Sequence, residues 1–127
     1  MAQKEKPKLG AVAWRDLTVP EAEKIRDFYT QVAGWEPAPL SMGDYDDYCM
    51  NRPGTTETVA GICHARGVNA KLPPQWLIYV QVADVQASVA QAEALGGRVV
   101  DGPRSMAGQQ FCVIQDPAGA VFAIIGE

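Results

Sequence analysis

Residues 14–21 read WRDLTVPE, and this stretch joins a predicted strand to a predicted helix. The apolar, β-compatible run at residues 9–17 predicts the strand. Thr18 and Glu21 have the spacing of a capping box, and Pro20 suits the first turn of a helix. A helix is therefore expected to begin here, with Thr18 as its N-terminal cap.

The helix is expected to present one apolar face, because apolar residues recur at i, i+3, i+4 and i+7. These positions are Ile25, Phe28, Tyr29 and Val32. Gly34 ends the helix, and three short strands are predicted at residues 35–40, 45–50 and 59–65. Pro37 and Pro39 favour an edge position for the first of these strands. Residues 66–75, rich in Gly, Asn and Pro, indicate a linker.

The same order of elements returns after the linker. A strand is predicted at residues 76–82, Asp84 caps a second helix, and its apolar face comprises Val85, Val89, Ala92 and Leu95. Gly96 and Gly97 stop that helix. Further strands are predicted at residues 98–100, 110–115 and 120–125. Residues 101–103 are expected to end the first of these strands. Residues 116–119 are expected to form a type I turn between the last two.

The chain thus predicts a tandem β-α-β-β-β repeat. Because the strands after each helix are separated only by turns, antiparallel hairpins and an α+β class are favoured. The expected boundaries are an N-terminal tail at 1–8, a first repeat at 9–65, a linker at 66–75 and a second repeat at 76–127, which together make one domain.

Composition narrows the function classes. The 127 residues carry a net charge of −4, and this acidic balance argues against a nucleic-acid partner. No apolar run is long enough to span a bilayer, and the three cysteines form no CxxC pair, so a cytoplasmic location with reduced thiols is expected. The chain has one histidine, His64, which excludes a site built from several imidazoles.

Three segments carry a resemblance to a known family. They are residues 14–17 with 28–29 and 34–35, residues 76–80 with 84–85 and 95–97, and residues 116–122. In this order they resemble the vicinal oxygen chelate superfamily, the glyoxalase, bleomycin-resistance and extradiol-dioxygenase group, and most of all its glyoxalase-related hydroxylase-like branch. The resemblance implies a U-shaped sheet whose cleft holds a divalent metal on His and Glu ligands.

The ligand positions that the resemblance implies hold other residues here. Trp14, Leu77 and Ala123 occupy three of the four positions, and His64 lies on the strand that would supply the fourth. A catalytic metal site generally needs about three protein ligands. No cofactor is therefore expected, and a divalent metal held through His64 is the alternative.

Candidate site residues follow from strand alternation and from this resemblance. Trp14 is either a stacking platform for a flat ligand or a core residue, and the two interpretations stay open. The remaining substrate-binding candidates are Tyr48, Tyr79, Arg104 and Phe111. The catalytic candidates are His64, as a general base or pH-dependent contact, and Asp16, as a general base if it lacks a cationic partner.

The sequence is compatible with three functions. The first is a metal-independent protein that binds a small hydrophobic or aromatic molecule in its cleft, as bleomycin-resistance proteins do. The second is a metal-dependent lyase, isomerase or dioxygenase-type enzyme of the same superfamily that uses His64. The third is a structural or regulatory dimer without a ligand. A homodimer is expected under all three, with neither a nucleic acid nor a membrane as partner.

Overall fold

The computed structural model describes residues 8–127, so the predicted tail lies outside the described residues except for Lys8. Two helices and eight strands follow in the predicted tandem order, which confirms the α+β class. Their bounds are β1 (Val12–Val19), α1 (Ala22–Ala33), β2 (Glu36–Ser41), β3 (Asp46–Asn51), β4 (Thr58–His64), β5 (Trp76–Gln81), α2 (Val85–Ala94), β6 (Arg98–Met106), β7 (Gln109–Gln115) and β8 (Val121–Gly126). A short 3₁₀ helix, Gly67–Asn69, lies in the predicted linker.

The chain divides into two compact units. The N-unit is Trp14–Trp76, and the C-unit combines residues 8–13 with Leu77–Glu127. In the N-unit the strand order is β2-β3-β4-β1, with β2-β3 and β3-β4 antiparallel and β4-β1 parallel. The predicted hairpins are therefore present, and β2, which contains Pro37 and Pro39, lies at the end of this order.

The start of α1 differs from the prediction. Thr18 is buried within β1, where it is the ladder partner of Cys63. The helix begins only at Ala22, and the preceding Glu21 makes no side-chain capping bond. The capping box is wrong because pairing with β4 keeps Thr18 extended. The predicted end is confirmed, since Gly34 adopts a left-handed conformation and its N–H donates to the Thr30 carbonyl at 3.1 Å.

One face of the N-unit sheet packs against α1. The buried residues of this core are Leu17, Val19, Ala22, Tyr48, Met50, Ala60 and Ile62, with Ile25, Tyr29, Trp35 and Trp76 packed around them. Phe28 and Val32 were predicted on the apolar face of α1, yet they are 54% and 68% exposed. The helix therefore buries only part of its predicted face.

In the C-unit the strand order is β5-β8-β7-β6, with β5-β8 parallel and the other pairs antiparallel. Asp84 caps α2 as predicted, because its Oδ1 accepts from the Ala87 N–H at 3.0 Å. Buried Val85 and Val89 anchor this helix to the core, whereas Leu95 is exposed.

Strand β6 runs past the point where residues 101–103 were expected to end it. It pairs with β7 as far as Met106, with irregular pairing between Val99 and Asp101 and between Asp101 and Arg104. Gly102 makes this possible, since its φ is +96° and a Cβ there would lie 2.8 Å from the Phe111 carbonyl oxygen. The irregularity brings Arg104 opposite Phe111.

None of the helices in residues 8–127 has the length and apolar character needed to cross a bilayer.

Candidate functional site

Alternation along β1 separates two faces of the N-unit sheet. Leu17 and Val19 point toward the α1 core. Residues at the intervening positions of β1, together with their neighbours on β4, form what we call the Trp14 face, which comprises Trp14, Asp16, Thr18, Gly61 and Cys63. This is the face on which the family resemblance implies a ligand position.

Trp14 is half-buried on this face and held in place by two neighbours. Its indole Nε1 donates to Asp16 Oδ2 at 3.2 Å. A Cβ built on Gly61 would lie 3.2 Å from both the indole Cζ2 and the Asp16 Cβ. The missing side chain of Gly61 therefore leaves the space that the indole uses, and the ring is fixed without being fully covered.

Asp16 shares the face of Trp14, as strand alternation predicted. Besides the bond from the indole it takes part in at least one further interaction. Its carboxylate thus belongs to a bonded network with the indole and is not an isolated buried acid.

Tyr48 does not reach the Trp14 face. It belongs to the α1 core, is 8% exposed, and lies under the Arg26 guanidinium, whose Cζ is 4.7 Å from the ring centroid. The position of Tyr48 does not agree with the prediction that this residue binds substrate in the cleft. The reason is register, because Tyr48 is the ladder partner of Ile62, whose side chain also points to α1.

His64 is also turned away from the Trp14 face. It is the ladder partner of Val19 and is 6% exposed, and its ring contacts Tyr45 and Tyr48. Its Nε2 lies 3.0 Å from Glu23 Oε1, and its Nδ1 lies 3.3 Å from Asp47 Oδ1. The Asp47 oxygen also accepts from the His64 backbone N–H at 2.8 Å. The imidazole therefore links α1 to β3.

The hydrogen bonds at Glu23 have an electrostatic consequence. The pKa of the exposed Glu23 carboxyl is lowered by a hydrogen bond from its own backbone N–H and by the bond from His64. Both hydrogen bonds favour the ionised form of Glu23. Its carboxylate therefore remains a hydrogen-bond acceptor beside the His64 imidazole in neutral solution.

These positions do not fit the divalent metal that the resemblance implies. An indole N–H offers no lone pair, and Leu77 and Ala123 are apolar and buried. His64, which was the one remaining ligand candidate, has a carboxylate against each ring nitrogen and faces α1. Within residues 8–127 no group of three or more His, Cys, Asp or Glu side chains is arranged to hold a metal ion.

Cys63 lies beside Asp16 and Asp47, but it is not a reactive thiol. Burial is the largest cause that raises the pKa of Cys63 far above its usual value, and the charges of Asp16 and Asp47 raise it further. Since the thiolate is the nucleophilic form, Cys63 remains a neutral thiol that packs on the sheet.

Tyr79 and Phe111 form the inner face of the C-unit. Their rings stack with centroids 5.5 Å apart and planes inclined at 25°. They are only 2% and 1% exposed, and Leu77 and Ala123 beside them are equally buried. Neither ring can touch a ligand from solvent in this structure, so the two residues proposed as ligand contacts are core residues here.

Arg104 lies over this aromatic pair. Its Cζ is 4.8 Å from the Phe111 ring centroid, and its Nη2 and Nε donate to Asp101 Oδ2 at 3.1 and 3.3 Å. Arg104 was predicted to bind substrate, but an anionic group of a ligand would compete with Asp101 for its guanidinium.

Two features escaped the sequence-based predictions. Asp47 was expected only as part of the strand at residues 45–50, but it is 5% exposed and its carboxylate accepts from the His64 backbone N–H. A cavity of about 390 Å³ lies beside α1 and is lined by residues that include Tyr29 and Trp76. The aromatic composition of residues 28–35 was the only available signal for it, and that pattern also fits an ordinary core.

Comparison with known proteins gives a family. The profile described as "Glyoxalase-like domain" matches residues 14–125. Among curated proteins, this chain is 27% identical over 117 residues to CFP32 of Mycobacterium tuberculosis (strain CDC 1551 / Oshkosh). The name of CFP32 assigns it provisionally to the glyoxylases. The anthracycline biosynthesis protein DnrV of Streptomyces peucetius is 30% identical over 116 residues.

Both alignments cover 91% of this chain, but only 44% of CFP32 and 41% of DnrV. The chain therefore spans less than half the length of the curated relatives that it matches.

Solved structures give the same fold at low identity. Methylmalonyl-CoA epimerase from Mycobacterium tuberculosis has a TM-score of 0.51 at 15% identity, covering 88% of this chain and 84% of that one. A glyoxalase/bleomycin resistance protein/dioxygenase superfamily member from Vibrio splendidus 12B01 has a TM-score of 0.53 at 15% identity, covering 90% and 97%. At such identity these likenesses concern the fold alone.

Proposed function

Because the chain belongs to the glyoxalase-like domain family, we propose that it is a metal-independent binding protein for a small, flat, aromatic or hydrophobic molecule. The ligand lies on the Trp14 face of the N-unit. The observation that carries this proposal is the Trp14 indole, which is held by Asp16 and Gly61. The family resemblance assigns this position to a metal ligand.

The physical basis is a preorganised aromatic surface. An indole buries a large apolar area on contact with a flat ring, and aromatic pairs gain about 0.5–1.5 kcal/mol beyond that burial. The bond to Asp16 fixes the ring before the ligand arrives, which reduces the entropy that binding would otherwise cost. Trp14 is therefore better suited to bind a ligand than to catalyse a reaction.

One relative supports the choice of ligand class. DnrV is named as an anthracycline biosynthesis protein, and an anthracycline contains a flat polycyclic aromatic system. We take such a ring system as the probe for this chain, in the form of a neutral anthracycline aglycone. We do not propose the metal-dependent enzyme that would use His64 as a ligand, because both ring nitrogens of His64 already lie against carboxylates.

Replacing Trp14 by alanine is expected to weaken binding of the aglycone about 10- to 100-fold. This corresponds to roughly 1.5–3 kcal/mol for the lost apolar area and ring contact. Titration calorimetry with the purified full chain, without added metal and with chelator present, measures the change directly.

Trp14→Phe is the matched variant, since it keeps a flat aromatic ring but loses the bond to Asp16 and part of the indole's contact area. Its affinity should lie between those of the wild type and Trp14→Ala. Equal affinity of wild type and Trp14→Ala would contradict the proposal, and so would binding that disappears when chelator is added.

A further inference from the structure

We propose that the N-unit has a second ligand site, on the sheet face opposite Trp14, that binds a neutral flat molecule carrying one hydrogen-bond acceptor. The site is the cavity of about 390 Å³ beside α1. We call it the α1 groove, and its lining residues are Leu17, Val19, Ile25, Phe28, Tyr29, Pro74, Gln75 and Trp76. It is independent of the function proposed for Trp14, because alternation along β1 puts Leu17 and Val19 on the other face.

The size and walls of the groove suit a small aromatic molecule. Its volume falls within the range of about 300–1,000 Å³ that is typical of small-molecule sites. Phe28 and Trp76 both meet Tyr29 edge-on, with ring centroids 5.1 and 5.2 Å apart. A flat ligand can stack on the face of one such ring and contact the edge of another, because the rings are nearly perpendicular.

Phe28 explains why the groove is accessible. It is 54% exposed, whereas Leu17 and Val19 in the floor are 5% and 8% exposed. The groove therefore has a buried apolar floor and an aromatic wall that reaches the surface, which lets a ligand enter without opening the core.

The polar side-chain groups of the groove are the Tyr29 hydroxyl, the Trp76 indole N–H and the Gln75 amide, which already takes part in an interaction. None of the side chains that line it is charged, so an ionic ligand would gain no partner for its desolvated charge. The Tyr29 hydroxyl accepts a hydrogen bond from Trp76 Nε1 at 2.9 Å. Among the described residues its own O–H donates to no acceptor, and a ligand carbonyl can therefore accept a hydrogen bond from it.

The test compares two probes that differ mainly in one acceptor, 2-acetylnaphthalene and 2-ethylnaphthalene. The chain has three tryptophans, so its indole N–H signals in an NMR spectrum separate the sites. Both probes are expected to shift the Trp76 signal and to leave that of Trp14 unchanged at low occupancy. The ketone should bind roughly 3- to 10-fold more tightly, the usual contribution of one hydrogen bond.

Two variants keep the test decisive. Tyr29→Phe should clearly reduce the preference for the ketone, since it removes the hydroxyl that donates to the ligand carbonyl. It also removes the acceptor of the Trp76 N–H, so each titration is referenced to the variant's own Trp76 signal. Phe28→Ala should weaken both probes equally and, because Phe28 is half-exposed, should leave the fold intact. Trp14→Ala is the control on the opposite face and should change neither affinity at the Trp76 signal.

Three results would overturn the proposal. The first is a shift at Trp14 with none at Trp76, which assigns the probes to the Trp14 face. The second is an unchanged preference for the ketone in Tyr29→Phe. The third is a dimer in sedimentation that dissociates on Phe28→Ala, because a second copy of the chain would then be the occupant of the groove.

Discussion

Replacing Phe111 by alanine is expected to lower the free energy of unfolding by about 3–5 kcal/mol. The side chain is 1% exposed, stacks on Tyr79 and lies beneath the Arg104 guanidinium. Truncation removes both ring contacts and leaves a cavity that the neighbouring strands cannot close. Urea unfolding followed by circular dichroism measures the loss, and the C-unit should be the less stable part of the variant.

Phe28→Ala provides the matched control, since the same atoms are removed from a side chain that is 54% exposed. Its unfolding free energy should fall by much less, by roughly 1 kcal/mol. If the two variants lose equal stability, Phe111 is not the core residue described above, and its earlier interpretation as a ligand contact regains support.

Replacing Asp47 by alanine is expected to cost about 3 kcal/mol of unfolding free energy. Asp47 Oδ1 accepts from the His64 backbone N–H at 2.8 Å and lies 3.3 Å from His64 Nδ1. Both groups are buried, so removing the carboxylate leaves a donor without a partner, and hydrogen bonds to charged groups are worth about 1.5–3 kcal/mol each. Thermal and urea unfolding of the full chain measure the loss.

Asp46→Ala is the control, because Asp46 is adjacent in β3 and exposed. It should change stability by less than about 0.5 kcal/mol. Asp47→Asn should lie between the two variants, since an amide oxygen can still accept from the backbone N–H. A loss in Asp47→Ala no larger than in Asp46→Ala would show that the contact with His64 contributes nothing to stability.

Much of the fold could be predicted from local chemistry. Gly34 ends α1 in a left-handed conformation and Asp84 caps α2, as their residue types indicate. Asp116 and Gly119 close the last turn, where the Gly119 N–H donates to the Asp116 carbonyl at 3.0 Å. Each of these signals depends on a few consecutive residues, which the sequence shows directly.

The candidate site was harder to predict because it depends on which face each side chain occupies. His64 and Tyr48 lie on strands that were correctly expected, yet both point to α1. A one-residue change of register reverses the face of every side chain in a strand. The register between β1, β3 and β4 comes from long-range pairing, which no local pattern reveals.

Thr18 is a further case in which tertiary structure overrides a local signal. Its spacing to Glu21 favours a cap, but parallel pairing with β4 holds it in β1. Trp14 is the opposite case, since its face followed from alternation along one strand and its contact with Asp16 agrees with that prediction.

Gly61 has a consequence for how the N-unit assembles. It is the ladder partner of Asp16, and the Trp14 indole lies where its side chain would be. A shift of β1 by two residues along β4 would keep the faces of both strands, but Val59 or Cys63 would then stand opposite Asp16, with a side chain in the space beside the indole. The missing side chain of Gly61 therefore favours the observed alignment of the two strands over those two residues away.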